Sequence, residues 1–319
     1  MFVGIDLGGI NIAIGLVDEN YRILAKGSVP TGRERDFSKI MKDASELVLE
    51  LLKKANVSKA DIQVIGLGGP GVPDLANKTI VHSSNFPRIH HSDVAEALSL
   101  YFPDVPVFVE NDANAAAYGE VLAGAARGVK NAVVVTLGTG VGGGVIIDGE
   151  IYAGFNHAGS ELGHMVVKFD GLPCNCGRQG CFEVYASATA LVRQTVHTIK
   201  EYPDSVIHQM IQGDMAKVNG KTAFDAAKQG DEAGRKIVDE YITYLGIGLV
   251  NIVNIFQPEM IVIGGGICKE GDYLLNPLKA YLKKYTYTTE VPQTKLKTAV
   301  LGNDAGIIGA AMLWQLQNK

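Results

Sequence analysis

Two internal repeats constrain the fold of this chain more than any other feature of its sequence. At an offset of 130 residues, segment 3–18 matches segment 133–148, and each reads as an apolar strand, a glycine-bearing turn and a second strand ending in aspartate. At an offset of 198 residues, "ADIQVIGLGG" (60–69) matches "PEMIVIGGGI" (258–267), where a buried-type strand runs directly into glycines. Two matches in the same order predict two duplicated α/β domains that face each other.

The hydrophobic pattern predicts an alternation of strands and helices in each half. Because the first three strands follow one another through short turns, they predict an antiparallel meander. The last helix is expected to pack back on the first domain, whereas the mixed pattern of 203–230 assigns that segment no role. Strands are expected near 2–7, 12–18, 21–29, 62–67, 106–110, 132–137, 143–148, 260–263 and 296–301, and helices near 36–55, 92–101, 112–124, 183–200, 233–256, 272–284 and 304–317.

Length and charge narrow the classes of partner. The 319 residues suggest two domains, each able to bury its own core. The net charge of −5 argues against nucleic acid or an anionic membrane as a partner. No basic stretch precedes an apolar one at the N-terminus, and the longest uncharged run, 131–147, is too short for a membrane span. We therefore expect a cytoplasmic protein whose cysteines stay reduced.

Glycine-rich turns stand at the ends of two predicted strands, "DLGGIN" (6–11) and "LGTGVGGG" (137–144). Glycines there let backbone N–H groups approach an anion, although a tight hairpin that needs positive φ is the plainer explanation of one such turn. The string 138–143 spells a dinucleotide-binding fingerprint, but a strand follows it where that motif requires a helix. "NGKT" (219–222) lacks the first glycine of a phosphate loop. Two equivalent turns in facing domains predict a clamp for a polyphosphate.

Three of the four cysteines are crowded into "GLPCNCGRQGCFE" (171–183). In a reducing compartment, clustered cysteines are more often metal ligands than disulfide partners. The alternative is a group of buried free thiols, against which Gly177 and Gly180 argue, because they allow tight turns that wrap a short loop around an ion. Cys268, outside the cluster, is expected to be a packing residue.

Together these motifs resemble the ROK sugar kinases and, within that family, the bacterial glucokinases. The resemblance covers essentially the whole chain, through "DLGGIN", "GGPG", "ENDANAAA", "LGTGVGGG", "ELGHM", "CNCGRQGCFEVYASATAL" and "VIGGGI" in family order. It implies two actin/hexokinase-like (ribonuclease H-like) α/β domains with a cleft that closes on sugar and ATP. The implied N-terminal domain comprises 1–116 with 303–319, and the C-terminal domain comprises 117–302.

The resemblance also implies a structural zinc ion and a sugar site. The zinc ligands would be His164, Cys174, Cys176 and Cys181, a closed tetrahedral set. Asp112 would be the general base, and the other sugar-binding residues would be Gly71, Asn85, Asn111, Glu161, His164 and Glu183. The plainer explanation of Asn111 and Asp112 is helix capping, and that of Gly71 is an ordinary turn.

ATP, bound with Mg²⁺, is the phosphoryl donor that the resemblance implies. One departure concerns Ile10, which stands where the family usually has a threonine hydroxyl that donates to phosphate. We expect Thr136, Thr139 and the N–H groups of the second turn to take over that contact, and "VIGGGI" to form a ledge beside the base and ribose. The nucleotide-binding residues are therefore expected to be Asp6, Gly8, Gly9, Asn11, Thr136, Gly138, Thr139, Gly140, Gly264, Gly265 and Gly266.

The activity that follows is ATP-dependent phosphorylation of glucose at its 6-hydroxyl, by an enzyme expected to be a homodimer. A kinase for another hexose, such as N-acetylmannosamine, would use the same pocket residues. Sugar-sensing repressors of the family carry a DNA-binding domain ahead of the first glycine turn, a position that has no counterpart in this sequence. A structural ATPase of the actin type would explain the glycine turns but not the cysteines or "ELGH".

Overall fold

A computed structural model describes residues 1–83 and 86–317. The chain divides into two compact units. Unit 1 consists of Met1–Ala132, Gly144–Ser160 and the chain from Val300 onward, and unit 2 consists of Val133–Gly143 and Glu161–Ala299. The domain boundaries expected from the sequence, after 116 and after 302, stay a prediction. No helix in the described ranges has the length and apolar character needed to cross a membrane.

The strands and helices of the described residues alternate broadly as the sequence predicts. The strands are β1 (Phe2–Leu7), β2 (Asn11–Val17), β3 (Ile23–Pro30), β4 (Val64–Gly69), β5 (Val72–Asp74), β6 (Thr79–His82), β7 (His90–Asp93), β8 (Val107–Asn111), β9 (Ala132–Leu137), β10 (Val141–Ile147), β11 (Glu150–Ile151), β12 (Met260–Gly264) and β13 (Lys295–Thr298). The helices are α1 (Phe37–Ala55), α2 (Val94–Ser99), α3 (Asp112–Ala123), α4 (Glu183–Ala186), α5 (Ala188–Thr198), α6 (Ile207–Met210), α7 (Thr222–Lys228), α8 (Glu232–Phe256), α9 (Asp272–Tyr285), α10 (Asp304–Ala311) and α11 (Trp314–Gln317).

The two larger sheets have the same strand order, which confirms the predicted duplication. The first runs β3-β2-β1-β4-β8 and the second runs β11-β10-β9-β12-β13. In the first sheet β2 pairs antiparallel with both β1 and β3, so the predicted meander is confirmed, and β1 also pairs parallel with β4. Each sheet begins as a meander of consecutive strands and is extended by strands that return through helical crossovers, as connections to parallel strands require.

A third sheet, β5-β6-β7, was not predicted from the sequence. Its strands are three or four residues long and too short to show a clear alternation of apolar residues. It follows "GGPG", and Gly71 at its start has a φ of 90°. A side chain at Gly71 would also collide with the backbone of His82, because its Cβ would lie 1.9 Å from that carbonyl oxygen. A tight turn therefore requires this glycine, whatever else it does.

Helix α10 lies in near-backbone contact with the first sheet and with α3, which confirms that the last helix packs on the first domain. Added Cβ atoms at Gly4 of β1 and Gly66 of β4 would lie 1.9 and 1.8 Å from carbonyl oxygens of α10. A Cβ at Gly119 of α3 would lie 2.1 Å from another carbonyl of α10, and one at Gly309 of α10 would lie 1.7 Å from a carbonyl of α3. We call these four residues the glycine seam.

Two predicted helices are interrupted. The helix expected over 183–200 breaks at Ser187, whose extended backbone (ψ 164°) ends α4 while its hydroxyl accepts a hydrogen bond from Ala190 N–H at the start of α5. The break allows Ala188 N–H to donate to the carbonyl of Gly138. The helix expected over 304–317 breaks between α10 and α11. The first break couples α5 to the second glycine turn, a tertiary contact that hydrophobic periodicity does not reveal.

The segment 203–230, which the sequence left without a role, is fastened to unit 2 at both ends. Near its start, Ser205 Oγ and Val206 N–H donate to the carboxylate of Asp231, at 3.0 Å each. At its end, Lys228 of α7 pairs with Glu270, whose side chain is only 2% exposed. Glu270 belongs to the 3₁₀ turn Gly266–Glu270 that directly follows β12. The segment thus supplies the cation for a buried carboxylate beside "VIGGGI".

We expect Lys228→Met to lower the free energy of unfolding by about 2–4 kcal/mol, because it leaves a buried carboxylate without its cation. Denaturant unfolding followed by circular dichroism measures the change. Lys221→Met is the matched control, since Lys221 forms a 4.0 Å exposed pair with Asp225 in the same segment and should change stability by less than about 1 kcal/mol. Adding Glu270→Gln to Lys228→Met should restore part of the loss. Equal effects of the two lysine variants would contradict this account.

Candidate functional site

The first glycine turn joins β1 to β2 and is fixed from its carbonyl side. Gly8 N–H donates to the carbonyl of Asn11 at 3.1 Å, while Thr31 donates through its hydroxyl to Gly8 O (2.7 Å) and through its N–H to Ile10 O (2.8 Å). Gly9 is exposed, and an added Cβ there would meet no atom within 4 Å. The Ile10 side chain is 81% exposed. The turn therefore presents an open backbone edge and an apolar side chain that has no hydroxyl.

The second glycine turn, between β9 and β10, is also exposed but closes one residue earlier than the first. Gly138 N–H donates to the carbonyl of Gly140 at 3.0 Å, and Gly138 and Thr139 are exposed. The turn glycines Gly8, Gly9, Gly138 and Gly140 have no positive φ. The explanation by positive φ, which the sequence left open, is therefore wrong for both turns.

"VIGGGI" lies directly against the strand that leads into the second turn. Gly265 has a φ of 106°, and a Cβ there would lie 2.2 Å from the carbonyl oxygen of Leu137. Gly264 makes ordinary contact with Thr136, whereas Gly266 faces open space. Unit 2 thus brings Thr136, the second turn and Gly264–Gly266 into one neighbourhood, as expected for a nucleotide site.

In unit 1, three polar residues follow one another where β8 ends and α3 begins, namely Glu110, Asn111 and Asp112. Asn111 caps α3, since its Oδ1 accepts hydrogen bonds from the N–H groups of Ala113 (2.9 Å) and Asn114 (3.2 Å). Its Nδ2 donates to the carbonyl of Gly71 at 3.1 Å, so the two predicted sugar-site residues are in contact. Capping uses the Oδ1 atom of Asn111, and the Gly71 carbonyl uses one hydrogen of its Nδ2 group. The second Nδ2 hydrogen remains for a ligand.

Asp112 opens α3, and Asp6 at the end of β1 is its electrostatic neighbour. Asp112 accepts a hydrogen bond from Ala113 N–H at 2.8 Å. Burial, and then the negative charge of Asp112, raise the pKa of Asp6 from 3.8 to about 7. Helix α10 packs closely against Asp6, since a Cβ at Gly306 of α10 would lie 2.5 Å from its Oδ2. Two carboxylates that share one charge environment are typical of a catalytic site.

Glu110 is a polar residue of this neighbourhood that the sequence analysis missed. Its Oε1 accepts hydrogen bonds from Asn111 N–H (2.9 Å) and from Asn114 Nδ2 (3.1 Å), and burial raises its pKa. It orients the two asparagines on either side of Asp112. The available signal was an acid inside the apolar strand "VFVEN", which requires a buried hydrogen-bonding partner.

The cysteine loop of unit 2 places its four predicted metal ligands together. Their ligand atoms lie within 4.8 Å of one another, and the four thiols of the chain, Cys268 included, are unbridged. Cys176 Sγ is 3.6 Å from Cys181 Sγ, and Cys174 Sγ is 3.7 Å from His164 Nδ1. Zinc–thiolate bonds of about 2.3 Å place tetrahedral sulfurs roughly 3.8 Å apart, so the donor spacing fits a zinc ion.

Glu183, at the start of α4, connects the metal cluster with the second glycine turn. Its Oε1 lies 3.1 Å from Cys174 Sγ and 3.8 Å from His164 Nδ1. A Cβ at Gly140 would lie 2.6 Å from the other carboxylate oxygen of Glu183. Glu161 is exposed at the start of the turn Leu162–His164, without a side-chain capping bond. Asn85, the remaining predicted sugar ligand, lies outside the described residues.

Aromatic residues that the sequence analysis did not single out support the cysteine loop. The ring of Phe182 fills the space left by Gly248 on α8, where a Cβ would lie 2.3 Å from it. Tyr185 OH accepts a hydrogen bond from Leu172 N–H at 2.6 Å, and its ring packs 4.4 Å from that of Tyr244 on α8. The loop is therefore anchored to α8 through side chains as well as through its cysteines.

Duplicated α/β sheets, two glycine turns at strand ends and a cluster of three cysteines and a histidine together define a protein of the actin-like sugar-kinase fold. The ROK family model matches residues 2–317, and the chain belongs to the ROK family. It is 36% identical to the glucokinase of Halalkalibacterium halodurans, over 100% of this chain and 96% of that protein. It is 37% identical to the glucokinase of Thermotoga maritima, over 98% of this chain and 96% of that protein.

A solved structure extends the similarity to three dimensions. The ROK glucokinase of Streptomyces griseus, in complex with glucose and AMPPNP, matches with a TM-score of 0.82 and 34% identity, and the match covers 98% of each chain. The predicted family and fold class are therefore confirmed.

Substituting Asp6 should change how stability depends on pH. Because the folded state raises the pKa of Asp6 to about 7, the folded chain retains a proton there that the unfolded chain releases near pH 4, so stability falls as pH rises between these values. Asp6→Asn should remove this loss, which amounts to at most about 4 kcal/mol. Chemical unfolding at pH 5 and pH 8, without metal or nucleotide, measures it.

Asp18→Asn is the control, at the other end of the same hairpin. Slight burial acts to raise the pKa of Asp18, but hydrogen bonds from Arg22 and from Asn20 N–H lower it below its usual value. The Asp18 variant should therefore gain no stability between pH 5 and pH 8. Parallel pH profiles for the Asp6 variant and the unmodified chain would rule out the burial of a protonated Asp6.

Proposed function

We propose that this chain transfers the γ-phosphoryl group of ATP to the 6-hydroxyl of glucose. The observation that carries the proposal is the position of Asp112, at the first residue of α3 and in the charge environment of Asp6. Relatives that match over nearly their whole length are glucokinases, and the similar solved structure contains glucose and an ATP analogue. Phosphoryl transfer relies mainly on positioning and charge stabilisation, which rigidly placed carboxylates and backbone N–H groups supply.

Asp112 is the proposed general base, which accepts the proton of the attacking hydroxyl. Its backbone is fixed by the end of β8 and by the contact of α3 with α10, which would help to position its carboxylate for the reaction. Asp6 would hold the Mg²⁺ ion of the nucleotide through water, and that ion would neutralise part of the charge on the phosphates. The same ion would favour the ionised form of Asp6 over the protonated form.

Glucose would be bound by Asn111 and Gly71 of unit 1 and by Glu161, His164 and Glu183 of unit 2. The free Nδ2 hydrogen of Asn111 can donate to a sugar hydroxyl, since its other polar positions are used within unit 1. His164 Nδ1 faces Cys174, which leaves its Nε2 for the substrate. Asn85 completes the proposed set.

The phosphates of ATP would lie against the N–H groups of the two glycine turns, at residues 8–11 and 138–140. Thr136 and Thr139 would supply the hydroxyl contacts that Ile10 cannot make. The adenosine would lie beside Gly264–Gly266, where Gly266 leaves open space.

The cysteine cluster is proposed to hold a structural zinc ion. Three thiolates and one imidazole close the coordination shell, so the ion has no open position for chemistry. The cluster would shape the sugar site, because it fixes His164 and lies against Glu183. The metal would therefore order two proposed sugar ligands. Free thiols suit the reducing cytoplasm, which we propose as the location of the enzyme. The homodimer and the domain boundaries expected from the family remain predictions.

Replacing Asp112 tests the proposed function. Asp112→Ala should lower kcat for glucose and Mg-ATP by about 10²–10⁴-fold, the usual contribution of a general base, with a smaller change in the KM for ATP. Coupled measurement of ADP formation gives both constants, and a panel of hexoses that includes N-acetylmannosamine shows which sugar is preferred. Asp43→Ala, which removes a surface carboxylate paired with Arg35, is the control. Unchanged turnover in the Asp112 variant would refute the assignment of the base.

Metal analysis tests the zinc proposal separately from activity. Purified chain should contain about one zinc ion, and Cys176→Ser should lose most of it because a closed site needs all four ligands. Cys268→Ser is the matched control and should keep the ion, since Cys268 donates to Ile263 O outside the cluster. The Cys176 variant should also unfold at a lower temperature. A zinc-free unmodified chain, or equal zinc in both variants, would contradict the proposal.

A further inference from the structure

A pocket lies within unit 2 and shares no residue with the proposed active site. It has a volume of about 280 Å³ and is formed by the end of α8, the second half of α9, the loop 286–294 and β13. The residues used below are Val253, Lys279, Leu282, Lys283, Thr286 and Leu296. None of the functions proposed above uses this pocket.

The floor of the pocket is apolar and belongs to three different elements. Val253 of α8 is 2% exposed, Leu282 of α9 is 7% exposed and Leu296 of β13 is 6% exposed. Side chains that three packed elements hold in place cannot collapse into the space, so the pocket is preformed. Such a floor favours the apolar part of a ligand over a fully hydroxylated sugar.

Two lysines, one helical turn apart, stand on one side of this floor. Lys279 and Lys283 line the pocket, no acidic residue does, and neither lysine forms an ion pair with any described residue. The stretch 279–297 contains five lysines and one glutamate in a chain of net charge −5. A cation is commonly found in the last turn of a helix, which explains Lys283. Lys279 lies one turn earlier, where the helix dipole does not explain it. The local charge favours an anion.

A buried hydroxyl completes the lining. Thr286 Oγ1 is inaccessible to solvent and has no hydrogen-bond partner among the described residues, although its backbone N–H closes α9 by donating to Leu282 O at 3.0 Å. Thr294, which also lines the pocket, is different, because its hydroxyl donates to Pro258 O at 2.7 Å. Because buried hydroxyls are nearly always paired in folded proteins, the Thr286 hydroxyl is available as a hydrogen-bond donor to a ligand.

We propose that this pocket binds a small organic anion that carries one phosphate or carboxylate group on an apolar body. The charged group would lie between Lys279 and Lys283, and the body would lie on Val253, Leu282 and Leu296. The Thr286 hydroxyl, which is covered in the structure, would reach the charged group by rotation about its χ1 bond. The volume is at the lower end of the range for ligand pockets, which limits the ligand to one ring or a short chain of roughly ten non-hydrogen atoms.

Calorimetric titration of the full chain with phenyl phosphate and with benzoate tests the proposal and distinguishes the two charged groups. At least one should bind with a millimolar or lower Kd, and benzyl alcohol and inorganic phosphate, which each lack one half of the ligand, should bind at least tenfold more weakly. No binding of either probe at 50 mM would overturn the proposal, as would equal binding of benzyl alcohol. The titration uses neither glucose nor ATP, so its failure leaves the proposed function unaffected.

Variants locate the site. Lys279→Gln with Lys283→Gln should weaken binding at least tenfold, while Lys284→Gln, which removes an adjacent lysine of α9 that does not line the pocket, should change Kd less than twofold. Thr286→Val should weaken binding several-fold and Thr286→Ser should restore it, which separates the loss of the hydroxyl from a loss of fold. An effect of Lys284→Gln as large as that of the double variant would show general charge attraction and refute the site.

Discussion

The near-backbone contact between α10 and its neighbours is the constraint on which the arrangement of unit 1 depends. At each position of the glycine seam, any side chain would overlap a carbonyl oxygen, so α10 can approach β1, β4 and α3 only because these residues are glycines. The contact fixes the end of β1, where Asp6 lies, relative to the start of α3, where Asp112 lies. The spacing of the two carboxylates is therefore determined mainly by backbone packing, which deforms less readily than a side-chain hydrogen bond.

Unit 2 positions its proposed sugar ligands by a related device. A Cβ at Gly163 would lie 2.1 Å from the carbonyl of Val141, so the "ELGH" turn packs tightly on β10, while Gly248 makes room for the ring of Phe182 at the base of the cysteine loop. These contacts bring His164 and Glu183 to the cysteines. The loop itself contains little regular structure, and a metal ion is the means by which such a short loop can be held rigid. Backbone contact orders one unit, and metal coordination is proposed to order the other.

The sequence predicted those features that depend on local pattern and missed those that depend on tertiary contact. Apolar strands followed by glycines located both large sheets, and ligand spacing located the cysteine cluster, because each signal is contained in a few consecutive residues. The three strands after Gly71 are too short to show a clear apolar alternation, whereas the break at Ser187 and the role of Lys228 involve contacts with distant segments. Glu110 was overlooked because its function is to hydrogen-bond Asn111 and Asn114, which only the folded backbone brings within reach. The sugar-site prediction at Asn85 lies outside the described residues.

Some glycines of the chain have a structural reason to be glycine and others do not, and this difference supports the proposed nucleotide site. Glycines such as Gly4 and Gly265 have a structural reason to be glycine, because a Cβ would collide with backbone or because φ is positive. Gly9, Gly138 and Gly266 have neither reason, since an added Cβ would meet nothing within 4 Å and their φ values are ordinary. Folding alone would tolerate alanine at these three positions, and alanine would reduce the flexibility of the unfolded chain. All three lie in the segments proposed to contact ATP, and the open space at each would allow phosphates and base to approach the backbone closely.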